Sequence, residues 1–303
     1  MQLLLCLAVL AVTALLAVAR VAARRLPPAR AALVLGGAAI GGAAVWVGIV
    51  GLLTVVLIGQ LPPVAALGRW SGRRVSAGDP IPAIASVAAW VAVLVGVVGF
   101  AALIWRLVGE ARRWLPVYRH GACAGVMVVV DEETPAAVAV PGWPGRIVVS
   151  SGMLRALSAD ERRVLIAHEE CHLHAAHWVY RFGVRLAAAI CPLARPLVEP
   201  CDHALERWAD EIAARTVGDR RLTARAIAKA ALATRGTPGA AVAAFTGGQV
   251  SARVAALLDP PPRTRWSPAI APLLLLVFGA GCALVAERDV DRLFDLARMA
   301  TGR

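Results

Sequence analysis

Four stretches of this chain are apolar and free of charged side chains: residues 3–19, 31–61, 80–105 and 267–286. A helix rises ~1.5 Å per residue, so ~20 such residues cross the ~30 Å hydrocarbon layer of a bilayer. Any one of them alone has an alternative, a helix buried in the core of a soluble fold. The composition weighs against that alternative for all four: the chain is 59% hydrophobic, where soluble domains hold roughly 45–50%. The pattern predicts about four transmembrane helices and disfavours an ordinary cytosolic enzyme.

The net charge of +12 does not argue for nucleic acid as a direct partner. The basic residues are almost all arginine, Lys229 being the only lysine, and many flank the apolar stretches. There, long cationic side chains snorkel to the bilayer surface and orient the chain. Residues 3–19 are followed by Arg20, Arg24 and Arg25 and preceded by no charge. A secretory signal has the reverse order, so an uncleaved anchor with its N-terminus outside is predicted. Arg106, Arg112 and Arg113 after the third stretch, and Arg263 and Arg265 before the fourth, place the intervening segment in the cytoplasm and both termini outside. The expected location is the cell membrane, multi-pass, with Trp70, Trp105 and Trp266 as interface anchors. The six cysteines form no CxxC pair, which leaves a buried small hydrophobe as the reading for each.

These boundaries divide the chain into residues 1–106 (three spans), 107–266, and 267–303 (the fourth span and a short tail). The middle segment holds all six histidines and most of the acidic residues. Val126–Val130, Ala136–Val140 and Ile147–Ser150 are short β-prone runs parted by turn-rich sequence, which predicts a small sheet. Ser158 and Glu161 form a capping box that opens a helix through His168 and His172. A second helix is predicted from about Cys201-Asp202, carrying Glu206 and Asp210. Between the two, Val184–Val198 is apolar but broken by Pro192 and Pro196, a hairpin packed on protein or membrane. Gly236–Gly248 reads as a loop.

His168-Glu169-Glu170-Cys171-His172 is an HExxH sequence on that first helix. Its histidines are one turn apart and can converge on one Zn²⁺, while Glu169, ~100° round, can reach a metal-bound water as general base. From this composition, a chance occurrence is expected on the order of once in 250 such chains. A catalytic zinc needs a third protein ligand and an open position, and Glu206 is the candidate. Asp210, one turn further on, can accept the spare ring N–H of a ligating histidine. The alternative is a solvated acidic helix in which Arg207 pairs with Glu211. His174 and His177 fall ~240° and ~180° from His168 on a continued helix, which predicts surface or membrane-rim positions. His203 is either a helix-start residue or a donor leaning toward the site, and Cys171 a buried thiol.

HExxH followed by Glu206-Arg207-Trp208-Ala209-Asp210 (ExxAD) between apolar spans resembles the integral-membrane gluzincin peptidases of the M48/M56 group. It is closest to the M56 type that includes the β-lactam sensor-transducers. Supportive likeness extends to Ala136–Gly142, to Ile147–Gly152 and to the run from Arg253 to Leu258. The resemblance implies an α-helical membrane protein with an α+β gluzincin-type zinc peptidase domain inserted between spans three and four. It also implies a zinc endopeptidase holding one Zn²⁺ per chain, with His168, His172 and Glu206 as ligands, Glu169 as general base and Asp210 supporting them. The expected partner is a protein or peptide substrate lying extended beside Ala136–Val140. Sensors of that type carry a large domain after the last span, and this sequence has only 17 residues after Ala286. Two other readings stay open: a signalling protease that cleaves a transcriptional repressor, and a zinc-binding scaffold without turnover.

Overall fold

The computed structural model describes residues 2–78, 83–120, 127–142, 145–234, 247–261 and 267–299. The chain is mostly helical. α1 (Gln2–Ala23) and α2 (Pro28–Gly59) are joined by a tight turn, and Pro28 opens α2 where a missing N–H costs nothing. Two short helices follow, α3 (Pro62–Gly68) and α4 (Gly72–Gly78), and then α5 (Ala83–His120), which runs through Arg106 without a break. α12 (Ile270–Met299) returns along α1 and α2. Four helices among the described residues are long and apolar enough to cross a membrane: α1, α2, the Val87–Glu110 part of α5, and α12. They keep large apolar side chains exposed on their outer faces, among them Leu94, Val97, Trp105, Leu273 and Val277.

Between α5 and α12 lie β1 (Met127–Val130), β2 (Ala137–Val140) and β3 (Arg146–Ser150). The order in the sheet is β1-β3-β2, with β1 parallel and β2 antiparallel to β3, so that Val128 and Val138 both flank Val148. β2 is therefore an edge strand. The helices that follow are α6 (Ser151–Ala156), α7 (Ala159–His174), α8 (His177–Ile190), a 3₁₀ turn (Pro192–Leu197), α9 (Val198–Val217), α10 (Arg220–Ala233) and α11 (Gly247–Leu258). α9 starts three residues before its predicted position, because the 3₁₀ turn feeds straight into it and Pro200 falls in the first turn, where no donor is required. The predicted Gly236–Gly248 loop lies largely outside the described residues, as do Cys123 and Trp266.

The predicted hairpin Val184–Val198 is the end of α8 plus the 3₁₀ turn, and it packs on protein. Val184, Ala187, Cys191 and Leu197 join a hydrophobic core with Leu15 of α1, Leu35 of α2, Leu205 of α9 and Ala286 of α12. α5 is brought against α8 at Gly99, where an added Cβ would lie 2.4 Å from the Ala189 carbonyl oxygen. Only a residue without a side chain permits that approach. Cys171, Cys191, Cys201 and Cys282 are buried as expected, whereas Cys6 is exposed because it sits on the outer face of α1. Trp105 is exposed, but Trp70 is tied inward: its indole N–H donates to the Gly59 carbonyl at 2.8 Å and its ring meets Phe294 edge-on.

Candidate metal centre

α7 starts where its capping box dictates. Glu161 Oε2 accepts from the Ser158 N–H at 2.8 Å, and the Ser158 hydroxyl accepts from the Glu161 N–H at 3.4 Å. Lys229 of α10 donates to the same carboxylate at 2.8 Å, which fixes α7 against its neighbour. Val164 and Ala167 pack on Ala213 of α9 and Leu222 of α10, so the face of α7 bearing the histidines is turned toward α9.

There His168 Nε2 and His172 Nε2 converge to 3.1 Å. Glu206 completes a triangle, with Oε2 3.5 Å from His168 Nε2 and Oε1 3.5 Å from His172 Nε2. Donors on a tetrahedral zinc with bonds of ~2.0–2.1 Å stand about 3.3 Å apart, so these three side chains fit one such ion with a fourth position left over. Among the described residues this is the one group of three or more His, Cys, Asp or Glu placed to hold a metal.

The electrostatics point the same way. Burial alone would depress the pKa of His168, yet Asp210 and Glu206 more than reverse it, to about 10. That is the field of two carboxylates aimed at a place where positive charge is welcome. The Glu206 carboxyl is partly buried, which would raise its pKa, but His168 and Arg253 hold it well below the usual carboxylate range.

Asp210 is only 2% exposed, and its Oδ1 faces His168 Nδ1 at 3.1 Å, leaving Nε2 for a metal. Glu211 is buried too and pairs with Arg220 at 2.6 and 3.0 Å. This stretch of α9 is thus no solvated acidic face, and Glu211 turns away from Arg207. Glu169 is 8% exposed and lines a cleft of about 750 Å³ with β2, Pro141, His168, His172 and Arg181. Burial raises its pKa, and the neighbouring His168 offsets part of the rise. A carboxylate whose proton affinity is raised suits a general base.

Three residues of the site were beyond sequence reasoning. His177, expected at a surface or membrane rim, is 1% exposed and its Nδ1 lies 2.7 Å from Nδ1 of His172. The helical wheel failed because α7 stops: Ala176 adopts a left-handed conformation at φ 50°, and the chain folds back so that the first residue of α8 meets the second histidine. An alanine in that region carries no sequence signal, since glycine or asparagine is the usual occupant. Arg253 reaches from α11 to bind Asp210 in bidentate fashion, both contacts at 2.7 Å, and stands 3.0 Å from Glu206 Oε2. Its run was visible as part of the resemblance, without a role. Arg181 of α8 donates to Glu206 Oε1 and bridges to Asp202 at 3.3 Å.

The other candidates fall outside. His174 is exposed, with its ring nitrogen on the Glu170 carbonyl at 2.8 Å. His203 is not one of the grouped donors and lines a neighbouring pocket. Cys171 is buried, and burial pushes its thiol up to about 11, so it stays protonated at neutral pH.

Compared with known proteins, residues 122–198 match the family model of peptidase family M48. The match supports a metallopeptidase of that family and leaves the M56 likeness without support. It takes in the sheet and both histidines of HExxH and stops before Glu206 and Asp210. No curated protein and no solved structure matches the chain.

Proposed function

We propose that this chain is a membrane-embedded zinc-dependent endopeptidase that cuts protein substrates, with His168, His172 and Glu206 holding the metal. The observation that carries this is the triangle of donor atoms 3.1 to 3.5 Å on a side with Glu169 lining the same cleft. A bound zinc would supply a Lewis acid that polarises the scissile carbonyl and acidifies the attacking water. Glu169 takes the water proton and passes it to the leaving amine. Asp210 stands 3.1 Å from Nδ1 of His168 and His177 2.7 Å from Nδ1 of His172, which leaves Nε2 of each ring for the metal. Edge strand β2 offers backbone pairing for an extended substrate in register with Glu169, a mode largely blind to side-chain identity.

The metal reading is tested by removal. Chelation of the purified protein in detergent is expected to stop hydrolysis of an unfolded protein substrate, and stoichiometric zinc to restore it. Turnover that survives in metal-free protein overturns the reading.

Embedding in a membrane is supported by the four long apolar helices; the cell membrane, with the peptidase segment on its cytoplasmic side, is the reading that the arginine bias favours. A cysteine placed in the Asp131-Glu132-Glu133 turn should therefore resist a membrane-impermeant thiol reagent in intact cells, while one at Asp295 labels. The opposite pattern inverts the orientation and removes cytoplasmic proteins, a transcriptional repressor included, from the possible substrates.

A further inference from the structure

A second polar pocket lies beside the metal triangle, toward the adjoining face of α9, and shares Glu199 and Gln249 with the pocket that holds His168 and Glu206. Its volume is about 430 Å³, and its polar lining is Arg20, Arg24, Glu199, His203, Arg207 and Gln249. Two pairs line it: Arg20 in the last turn of α1 with Arg24 in the turn just after it, and His203 with Arg207 on α9. Residues four apart share a helix face, so His203 and Arg207 converge on the pocket as a unit. The floor is apolar, made of Leu26 and of Ala31 and Leu35 from α2, each at most 5% exposed.

The pocket carries an excess of positive charge, three guanidinium groups against the single carboxylate of Glu199. None of Arg20, Arg24 and Arg207 forms an ion pair among the described residues. Glu199 accepts instead from the Gln249 amide at 3.1 Å. His203 Nδ1 is buried and lacks a hydrogen-bond partner among the described residues. Three guanidinium groups and a bare imidazole nitrogen over an apolar floor ask for an anion with several oxygens and an apolar body. Guanidinium forks match phosphate oxygens in geometry and charge.

Position selects the source. Arg20 is the first charged residue after the uncharged stretch 3–19, and Pro28 starts the next apolar helix. With α1 and α2 in a bilayer, the pocket opens at the level of the lipid phosphates. We infer that this pocket is a binding site for the phosphate of an anionic phospholipid, seated between the α1–α2 turn and α9. The inference rests on the membrane-embedded reading and is independent of the proteolytic one.

The test uses the full chain in a neutral detergent, loaded with zinc. Phosphatidylglycerol is expected to remain bound after detergent release in native mass spectrometry, and phosphatidylcholine to bind more weakly. The double variant Arg24→Gln, Arg207→Gln should need about 25-fold more phosphatidylglycerol for equal occupancy, since each basic residue near an anionic headgroup contributes on the order of a factor of five. The equal charge change Arg73→Gln, Arg74→Gln on α4 should leave occupancy unaltered. Zinc content reports whether the variants are folded, and Arg24→Gln, outside the helices that carry the metal ligands, decides alone if the double variant has lost its metal. Equal retention by wild type and variant, or equal loss in both double variants, overturns the site. Inorganic phosphate or a glutamate-rich peptide binding in an Arg207-dependent manner with no lipid retained overturns the lipid assignment in favour of a free anion or a protein. Alkaline carbonate extraction of cell membranes separates the two levels: a chain that washes off defeats the embedded reading itself.

Discussion

Glu169→Gln is expected to keep its zinc and its fold and to lose proteolysis by on the order of a thousandfold or more. Glutamine preserves the shape and fills the same place beside β2, but it cannot take a proton from water. General bases contribute roughly 10²–10⁴ in rate. Both kcat and kcat/KM should fall together, because the lost interaction exists only in the transition state. Steady-state hydrolysis by the purified variant, with zinc measured on the same sample, is the check. Activity within tenfold of wild type would remove Glu169 from the role.

His172→Ala is expected to empty the site. With one donor of three removed, only His168 and Glu206 remain, and a two-ligand site does not retain zinc against dialysis. The damage reaches further, because His172 is 9% exposed and its Nδ1 meets His177. Deleting the ring leaves a cavity and strips His177 of its partner. Metal analysis should find less than about a tenth of a zinc per chain. Asp210→Asn offers the graded comparison: all three donors stay, and a loss of roughly 10–100-fold in affinity is typical when a group behind a ligand is changed. Full occupancy in His172→Ala would show that the donors have been misassigned.

Much of this architecture can be read from residue order because it is local. Each uncharged stretch is helical over most of its length, since a helix satisfies its backbone hydrogen bonds within its own segment, as a single span in lipid requires. HExxH needs only the helical repeat to bring His168 and His172 together, and Glu161 three places after Ser158 announces where that helix begins. Glu206 and Asp210 were found because they too are a turn apart. What escaped depends on the tertiary path. His177 returns to His172 through an alanine in a conformation alanine rarely takes, and Arg253 arrives from 43 residues beyond Asp210 in sequence. The parallel pairing of β1 with β3 is likewise invisible in a row of three short strands, because β2, the middle strand in sequence, ends at the edge.

The core that joins Leu15, Leu35, Val184, Leu205 and Ala286 makes α9, the bearer of Glu206, inseparable from the apolar helices. Thermodynamic linkage then applies to the whole chain. An ion that binds only the native state adds about 4 kcal/mol when present at a thousand times its dissociation constant, and this stabilisation belongs to every element that must come apart for Glu206 to leave its place. Heat should accordingly release the metal and loosen α1, α2 and α12 in a single calorimetric transition that moves upward with zinc; two separate transitions would contradict this coupling. Zinc supply would then govern how long the chain survives in the membrane as much as how fast it cuts.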